Sequence, residues 1–201
     1  MKKYSVQLAA LVILCAISFC SAGEEKKEEK KEEKKEKKCP PEGVELKPVE
    51  LSEEDIKHLV HHWHLVKHNN NLYGKDLSCS EYTYGKSEKG VFFHGSAYNE
   101  SSNKVWATTG VFTQKERGVY EGVFEDKRVN GEFLFLYVSK KIYILAGCIN
   151  DKEFALWVKT VDGKLDKEQE EIVEATLKKN GLPNDLKQAP NDNCAKKKSS
   201  V

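Results

Sequence analysis

Beyond its first 22 residues the chain has no apolar run long enough to cross a bilayer, so no helical membrane span is expected. It also lacks an excess of charge of either sign. Its 33 basic and 32 acidic residues leave a formal charge of +1, and bulk electrostatics give no attraction for nucleic acid. A glycine-rich phosphate loop, a metalloprotease helix motif and a nucleophile elbow are all missing. These absences exclude the common NTPase, zinc-protease and serine-hydrolase chemistries, and no enzymatic activity is expected.

What is present begins with a leader. Lys2 and Lys3 precede a short apolar core from Leu8 to Phe19, and small residues around Ala22 suit cleavage before Gly23. Residues 1–22 are therefore read as a signal peptide, and the product as secreted and extracellular. Cleavage removes Lys2 and Lys3 and moves the formal charge from +1 to about −1. Cys15 and Cys20 leave with the leader, while Cys39, Cys79, Cys148 and Cys194 remain. An even cysteine count in an exported chain reads as a disulfide framework. Four cysteines allow three pairings, and spacing does not choose among them.

Residues 23–38 form a glutamate- and lysine-rich arm. Its four-residue repeat sets like charges at i,i+4, as in Glu24/Glu28 and Lys26/Lys30, which disfavours helix. With no apolar stripe it has nothing to dock, and it reads as disordered and solvated. The basic tail, 195–201 with Lys196, Lys197 and Lys198, reads as a disordered end. One domain, 39–194, lies between them.

That domain patterns as many short strands followed by one helix. Ser52 with Asp55 resembles a capping box that opens one or two helical turns over Glu53–Leu59. Strands are expected over Trp63–Val66, Cys79–Tyr84, Val91–Tyr98, Lys104–Thr113, Gly118–Phe124, Phe133–Val138, Ile142–Ile149 and Phe154–Thr160. Turn chemistry separates them, notably at Asn69-Asn70-Asn71, Glu88-Lys89-Gly90 and Asn130-Gly131. Such spacing suggests an antiparallel sandwich or an up-and-down barrel. The helix begins at the N-cap Asp166, carries a stripe of Ile172, Val173, Thr176 and Leu177, and ends before Gly181 and Pro183. It is expected to pack outside a sheet whose strands Ile142–Gly147 and Phe154–Val158 are apolar on both faces.

Together these pieces resemble a secreted lipocalin, and most closely the salivary nitrophorin and triabin-like lipocalins of blood-feeding insects. The resemblance is carried by Trp63-His64-Leu65-Val66 leading to Cys79, by the Tyr137–Cys148 hairpin, by Phe154-Ala155-Leu156-Trp157-Val158, and by Asn180-Gly181-Leu182 running through to Cys194. It implies an eight-stranded all-β barrel with an outer C-terminal helix, Trp63 plugging the floor, and the pairings Cys39–Cys148 and Cys79–Cys194. The chain departs from the family pattern at His61, where glycine is usual, and at Tyr137-Val138-Ser139. The arginine that commonly covers the floor tryptophan has only Lys159 or Lys67 as a counterpart.

A barrel open at one end is a cup for small apolar ligands. Alternation picks Tyr82, Tyr84, Phe92, Tyr120, Phe135 and Leu145 as inward, pocket-lining residues, with His94 among them. In haem-carrying members a strand histidine ligates the iron, so the resemblance makes His94 a candidate haem ligand with nitric oxide as a further guest. His62 and His64, on one strand face, are candidate Zn²⁺ or Cu²⁺ ligands if His58 or His68 folds over. Asn99-Glu100-Ser101 is a glycosylation sequon. Two functional classes remain open. One is a carrier of haem, a biogenic amine, a lipid or a pigment. The other is a scaffold whose loops bind or inhibit a host protein.

Overall fold

Ser52 opens the first helix through a reciprocal cap. Its Oγ accepts from the Asp55 amide at 3.1 Å, and Asp55 Oδ2 accepts from the Ser52 amide at 2.9 Å. The resulting helix α1, Glu53–Leu59, leads straight into strand β1, His62–His68. A computed structural model describes residues 39–71 and 76–199; the leader and the charged arm lie outside the described residues.

The chain then runs as an antiparallel meander. It comprises β2 (Leu77–Ser87), β3 (Gly90–Asn99), β4 (Lys104–Glu116), β5 (Val119–Phe124), β6 (Gly131–Val138), β7 (Ile142–Ile149) and β8 (Glu153–Thr160). A short 3₁₀ turn, Lys127–Val129, separates β5 from β6. β1 pairs with β2 along one edge and with β8 along the other, so eight strands close on themselves. Closure leaves no free edge among them. The sandwich alternative is thereby excluded.

Helix α2, Lys167–Lys179, lies outside, capped by Asp166 with Gln169 as its reciprocal partner. The two parities of β7 explain its unbroken burial. Tyr143, Leu145 and Ile149 point into the barrel cluster, whereas Ile142, Ile144 and Ala146 join Val173 and Leu177 of α2 in a second cluster. Burying each such aliphatic side chain contributes about 2 kcal/mol, which fixes the helix to this side of the wall. At the helix end Gly181 takes φ +63°, a left-handed C′ geometry, and the Leu182 amide donates to the Leu177 carbonyl at 3.0 Å.

Both disulfides form as the resemblance implies, Cys39–Cys148 and Cys79–Cys194. Two features depart from the sequence reading. A ninth, two-residue strand β9, Lys187–Gln188, pairs with β1. The tail expected to be disordered begins instead as helix α3, Cys194–Ser199. Its disulfide holds the helix against β2, and Lys197 pairs with Glu100, whose carboxylate also accepts from Ser78 Oγ at 2.5 Å.

Candidate functional site

Trp63 and the helix beneath it close one end of the barrel. Trp63 is fully buried, and its indole Nε1 donates to the Leu59 carbonyl at 2.9 Å, so α1 is pinned under the floor by the residue that plugs it. Tyr84, Tyr143 and Phe135 fill the space above; Tyr84 and Tyr143 meet hydroxyl to hydroxyl at 2.5 Å. Burial pushes both phenols well above their ordinary pKa; Tyr84 raises Tyr143 further, while the hydrogen bond from Tyr143 partly offsets the rise at Tyr84. Tyr120, also buried in this cluster, packs edge-on against Phe135.

The other end is hollow. A cavity of about 490 Å³ opens there, within the range of small-ligand sites. Its walls are Phe93, Phe112, Phe124, Phe133, Leu145 and Trp157, with rings in repeated edge-to-face contact, such as Phe112 with Phe133 at 5.1 Å and Phe93 with Phe124 at 5.2 Å. Interior glycines make room for these rings. A Cβ on Gly122 would lie 2.5 Å from Phe133 Cε2 and 2.6 Å from Phe124 Cε2, too close for any side chain.

The rim is polar. Asp126 takes Trp106 Nε1 at 2.9 Å and the Arg128 guanidinium at 2.8 and 2.9 Å, and the guanidinium holds its carboxyl down to about 2. At the deep end lie Tyr82 and Lys159. Burial pushes the Tyr82 phenol up to about 12 and pulls the Lys159 amine well below its ordinary value.

Five of the residues read as inward from the sequence, Tyr82, Tyr84, Tyr120, Phe135 and Leu145, do point inward. Only Tyr82 and Leu145 line the open cavity, because the other three pack the closed end. Phe92 and His94 do not point inward. On β3 the buried parity is Val91, Phe93, Gly95 and Ala97; Phe92 is 39 % exposed and His94 sits half-buried on the outer parity opposite Thr83 and Thr109. A one-residue offset moves a whole strand face, so the candidate haem ligand stands outside the barrel. The signal for the correct parity was present: that inward set is wholly apolar, whereas the other mixes Phe92 with His94 and Ser96.

The histidine group does not converge either. His62 Nε2 faces Glu81 at 3.4 Å, His58 faces Glu54 at 3.6 Å, and His68 Nδ1 turns to the Asn69 carbonyl at 2.7 Å. His64 lies beside His62 with ring centroids 5.4 Å apart, and among the described residues no three His, Cys, Asp or Glu side chains gather as a metal site. Asn99 ends β3 at the rim, its side-chain oxygen accepting from the Ser102 amide at 2.9 Å. Sequence reasoning missed Phe93, Phe112, Phe124, Phe133, Trp157 and Lys159 as cavity residues.

No protein-family model matches the chain, and no curated protein matches its sequence. Solved structures do match in shape. The cockroach allergen Per a 4 aligns with TM-score 0.62 at 15 % identity, covering 76 % of this chain and 96 % of that one. Insecticyanin from the tobacco hornworm Manduca sexta gives TM-score 0.59 at 15 % identity, over 75 % of this chain and 87 % of its own. The amine-binding protein of Rhodnius prolixus, solved as its tryptamine complex, gives 0.57 at 14 % identity, over 72 % and 84 %. None of these likenesses singles out the haem-carrying salivary branch. What they share with this chain is the fold: a closed, eight-stranded, up-and-down barrel of lipocalin type with its helix outside.

Proposed function

We propose that the protein is an extracellular carrier that holds a small, largely apolar ligand in the open end of its barrel. The observation that carries this reading is the 490 Å³ cavity, walled by aromatic rings and closed from below by Trp63 and the Tyr84–Tyr143 pair. Two disulfides suit an oxidising, extracellular setting. The tryptamine complex of the Rhodnius protein lends support, since a barrel of this shape there takes up a small aromatic guest. Haem ligation through His94 is not part of the proposal, because that ring lies on the outer wall. A glycan on Asn99, if added, would stand at the cavity mouth.

The test is a titration with the neutral fluorescent probe N-phenyl-1-naphthylamine. One saturable site per chain is expected, lost when Leu145→Trp fills the cavity and kept when the exposed Val123→Thr is made. Absence of saturable binding by the unaltered protein would remove the carrier reading.

A further inference from the structure

Lys159, one of the two lysines read as counterparts of the floor-covering arginine, also faces the cavity. It is 3 % exposed and lines the deep end of the cavity, projecting inward on the same parity of β8 as Ala155 and Trp157. Its Nζ sits 3.6 Å from the centroid of the Tyr82 ring, 5.2 Å from Tyr143, 5.8 Å from Phe93 and 5.9 Å from Trp157. Among the described residues it has neither a hydrogen-bond acceptor nor a carboxylate partner. Burial alone displaces its amine, with no opposing charge contributing.

The contrast with Lys67 is instructive. That lysine, also largely covered but on the outside of the wall, meets Glu170 of α2 at 2.5 Å. A buried charge normally has such a partner, because aromatic faces compensate only part of the lost hydration. In Lys159 the partner is missing on the one side that faces empty space. The depth is also telling. Lys159 pairs across β7 with Tyr143, six residues from the rim residue Ile149, which is about 20 Å along the strand. Everything between is apolar or aromatic wall. The cavity's two acidic residues, Asp76 and Asp126, are both far from Lys159 in the fold: Asp76 is exposed where the chain enters β2, and Asp126 at the rim is already engaged by Arg128 and Trp106.

Resting on the carrier reading, we propose that Lys159 anchors the ligand and that the ligand class is a carboxylate-bearing amphiphile. Its head pairs with Nζ at the deep end, and its apolar tail lies along Phe112, Phe124, Phe133 and Trp157 toward the mouth. The amine ligands held by the Rhodnius protein would be disfavoured at the deep end, since a cationic head finds another amine there and no carboxylate beside it.

Calorimetric titration with dodecanoate, dodecanol and dodecylamine separates head-group recognition from tail burial, because the three share a tail. Dodecanoate is expected to bind about ten-fold or more tighter than dodecanol, and dodecylamine more weakly than either, as a charge-assisted pair in a dry site implies. Lys159→Met should bind dodecanol as before and lose the preference for the acid; Lys159→Gln serves the same comparison should the methionine variant not fold. Arg128→Gln, at the rim, should keep the preference. Equal affinity for acid and alcohol in the unaltered protein, or a preference that survives both Lys159 substitutions, overturns the anchor while leaving the carrier reading standing. Failure of all three compounds to bind overturns both.

Discussion

The hydroxyls of Tyr84 and Tyr143 lie 2.5 Å apart across the barrel floor, each the other's buried partner. Removing one leaves the other's hydroxyl without a hydrogen bond in a dry interior, whereas removing both leaves only apolar edges. Tyr143→Phe should therefore cost about 1–2 kcal/mol, and the double change Tyr84→Phe/Tyr143→Phe should cost no more than the single one. Urea unfolding of the four proteins measures the coupling. Strict additivity of the two single changes would show that the bond contributes nothing.

These phenols, with Tyr82, also set the alkaline limit of stability. Their folded pKa values lie above the ordinary 10.0, Tyr82 at about 12, so above pH 10 the unfolded chain loses protons that the folded one keeps. Stability is therefore expected to be flat in this contribution below pH 10 and to fall as pH rises beyond it. Followed by tyrosinate absorbance, these three groups should titrate only together with unfolding. Their appearance while the far-ultraviolet circular dichroism is unchanged would contradict the burial.

The unpaired amine of Lys159 implies the opposite slope. Its folded pKa is depressed below 10.5, so through the window between the two values the unfolded chain binds the proton and the folded one does not. Stability from this group rises with pH across that window and is least where both states are protonated. Lys159→Met should raise stability at neutral pH by on the order of 1–2 kcal/mol, and the gain should shrink toward pH 10.5. Thermal melting at pH 7 and pH 10 tests this; an equal gain at both would remove the titration from the explanation.

The barrel was legible in the sequence because strand alternation, turn residues and the Asp166 to Gly181 helix all agree with it. The inward faces of β2, β5, β6 and β7 followed from residues whose two parities differ clearly in polarity or were apolar on both. β3 failed because Phe92 and Phe93 are adjacent, and either choice of face places a phenylalanine inside. Asn69 was read as a break, yet its side chain continues the ladder: Oδ1 accepts from the Leu156 amide at 2.8 Å and Nδ2 donates to the Phe154 carbonyl at 3.0 Å. A side chain that imitates backbone leaves no periodicity to detect. Lys159 was named in the sequence only as one of two counterparts of a floor-covering arginine; that it faces the cavity with no acid beside it emerges only from the closed barrel.

The Cys79–Cys194 bond does more than shorten the unfolded chain. Cys79 takes φ 51° where the β2–β3 register shifts between Ser78 and Glu81, and its amide donates to the Pro190 carbonyl at 3.0 Å. The backbone is thus turned out of the strand to reach the segment after α2. With a sequence separation of 115, chain-entropy reasoning gives about 4–5 kcal/mol for the cross-link. The paired change Cys79→Ser/Cys194→Ser should lose about that much and free β9 and α3, seen as faster amide exchange from Lys187 onward. Because the cavity walls lie elsewhere, saturable probe binding should survive wherever the variant is folded. Loss of binding by a folded variant would mean that the cross-link also shapes the mouth.

At that mouth Asp126 is the hub. It accepts from Trp106, an inward residue of β4, and from Arg128, while its own amide donates to Thr108 Oγ1 at 3.1 Å, so Asp126 ties the 3₁₀ turn to the neighbouring strand β4 at the rim. Its carboxyl lies at about 2 against an ordinary 3.8, and the contribution is present above pH 3.8 and lost as pH falls toward 2. Because Arg128 is largely exposed, solvent screens the pair, and about 1 kcal/mol is a fair expectation for Asp126→Asn at neutral pH. The difference between the two proteins should vanish near pH 2. Asparagine keeps an acceptor for the Trp106 indole but no charge for Arg128, so freeing the guanidinium should loosen the lip and speed ligand release more than it weakens the fold. Stopped-flow displacement of N-phenyl-1-naphthylamine measures that rate; an unchanged rate in Asp126→Asn would place the clamp outside the path by which ligands leave.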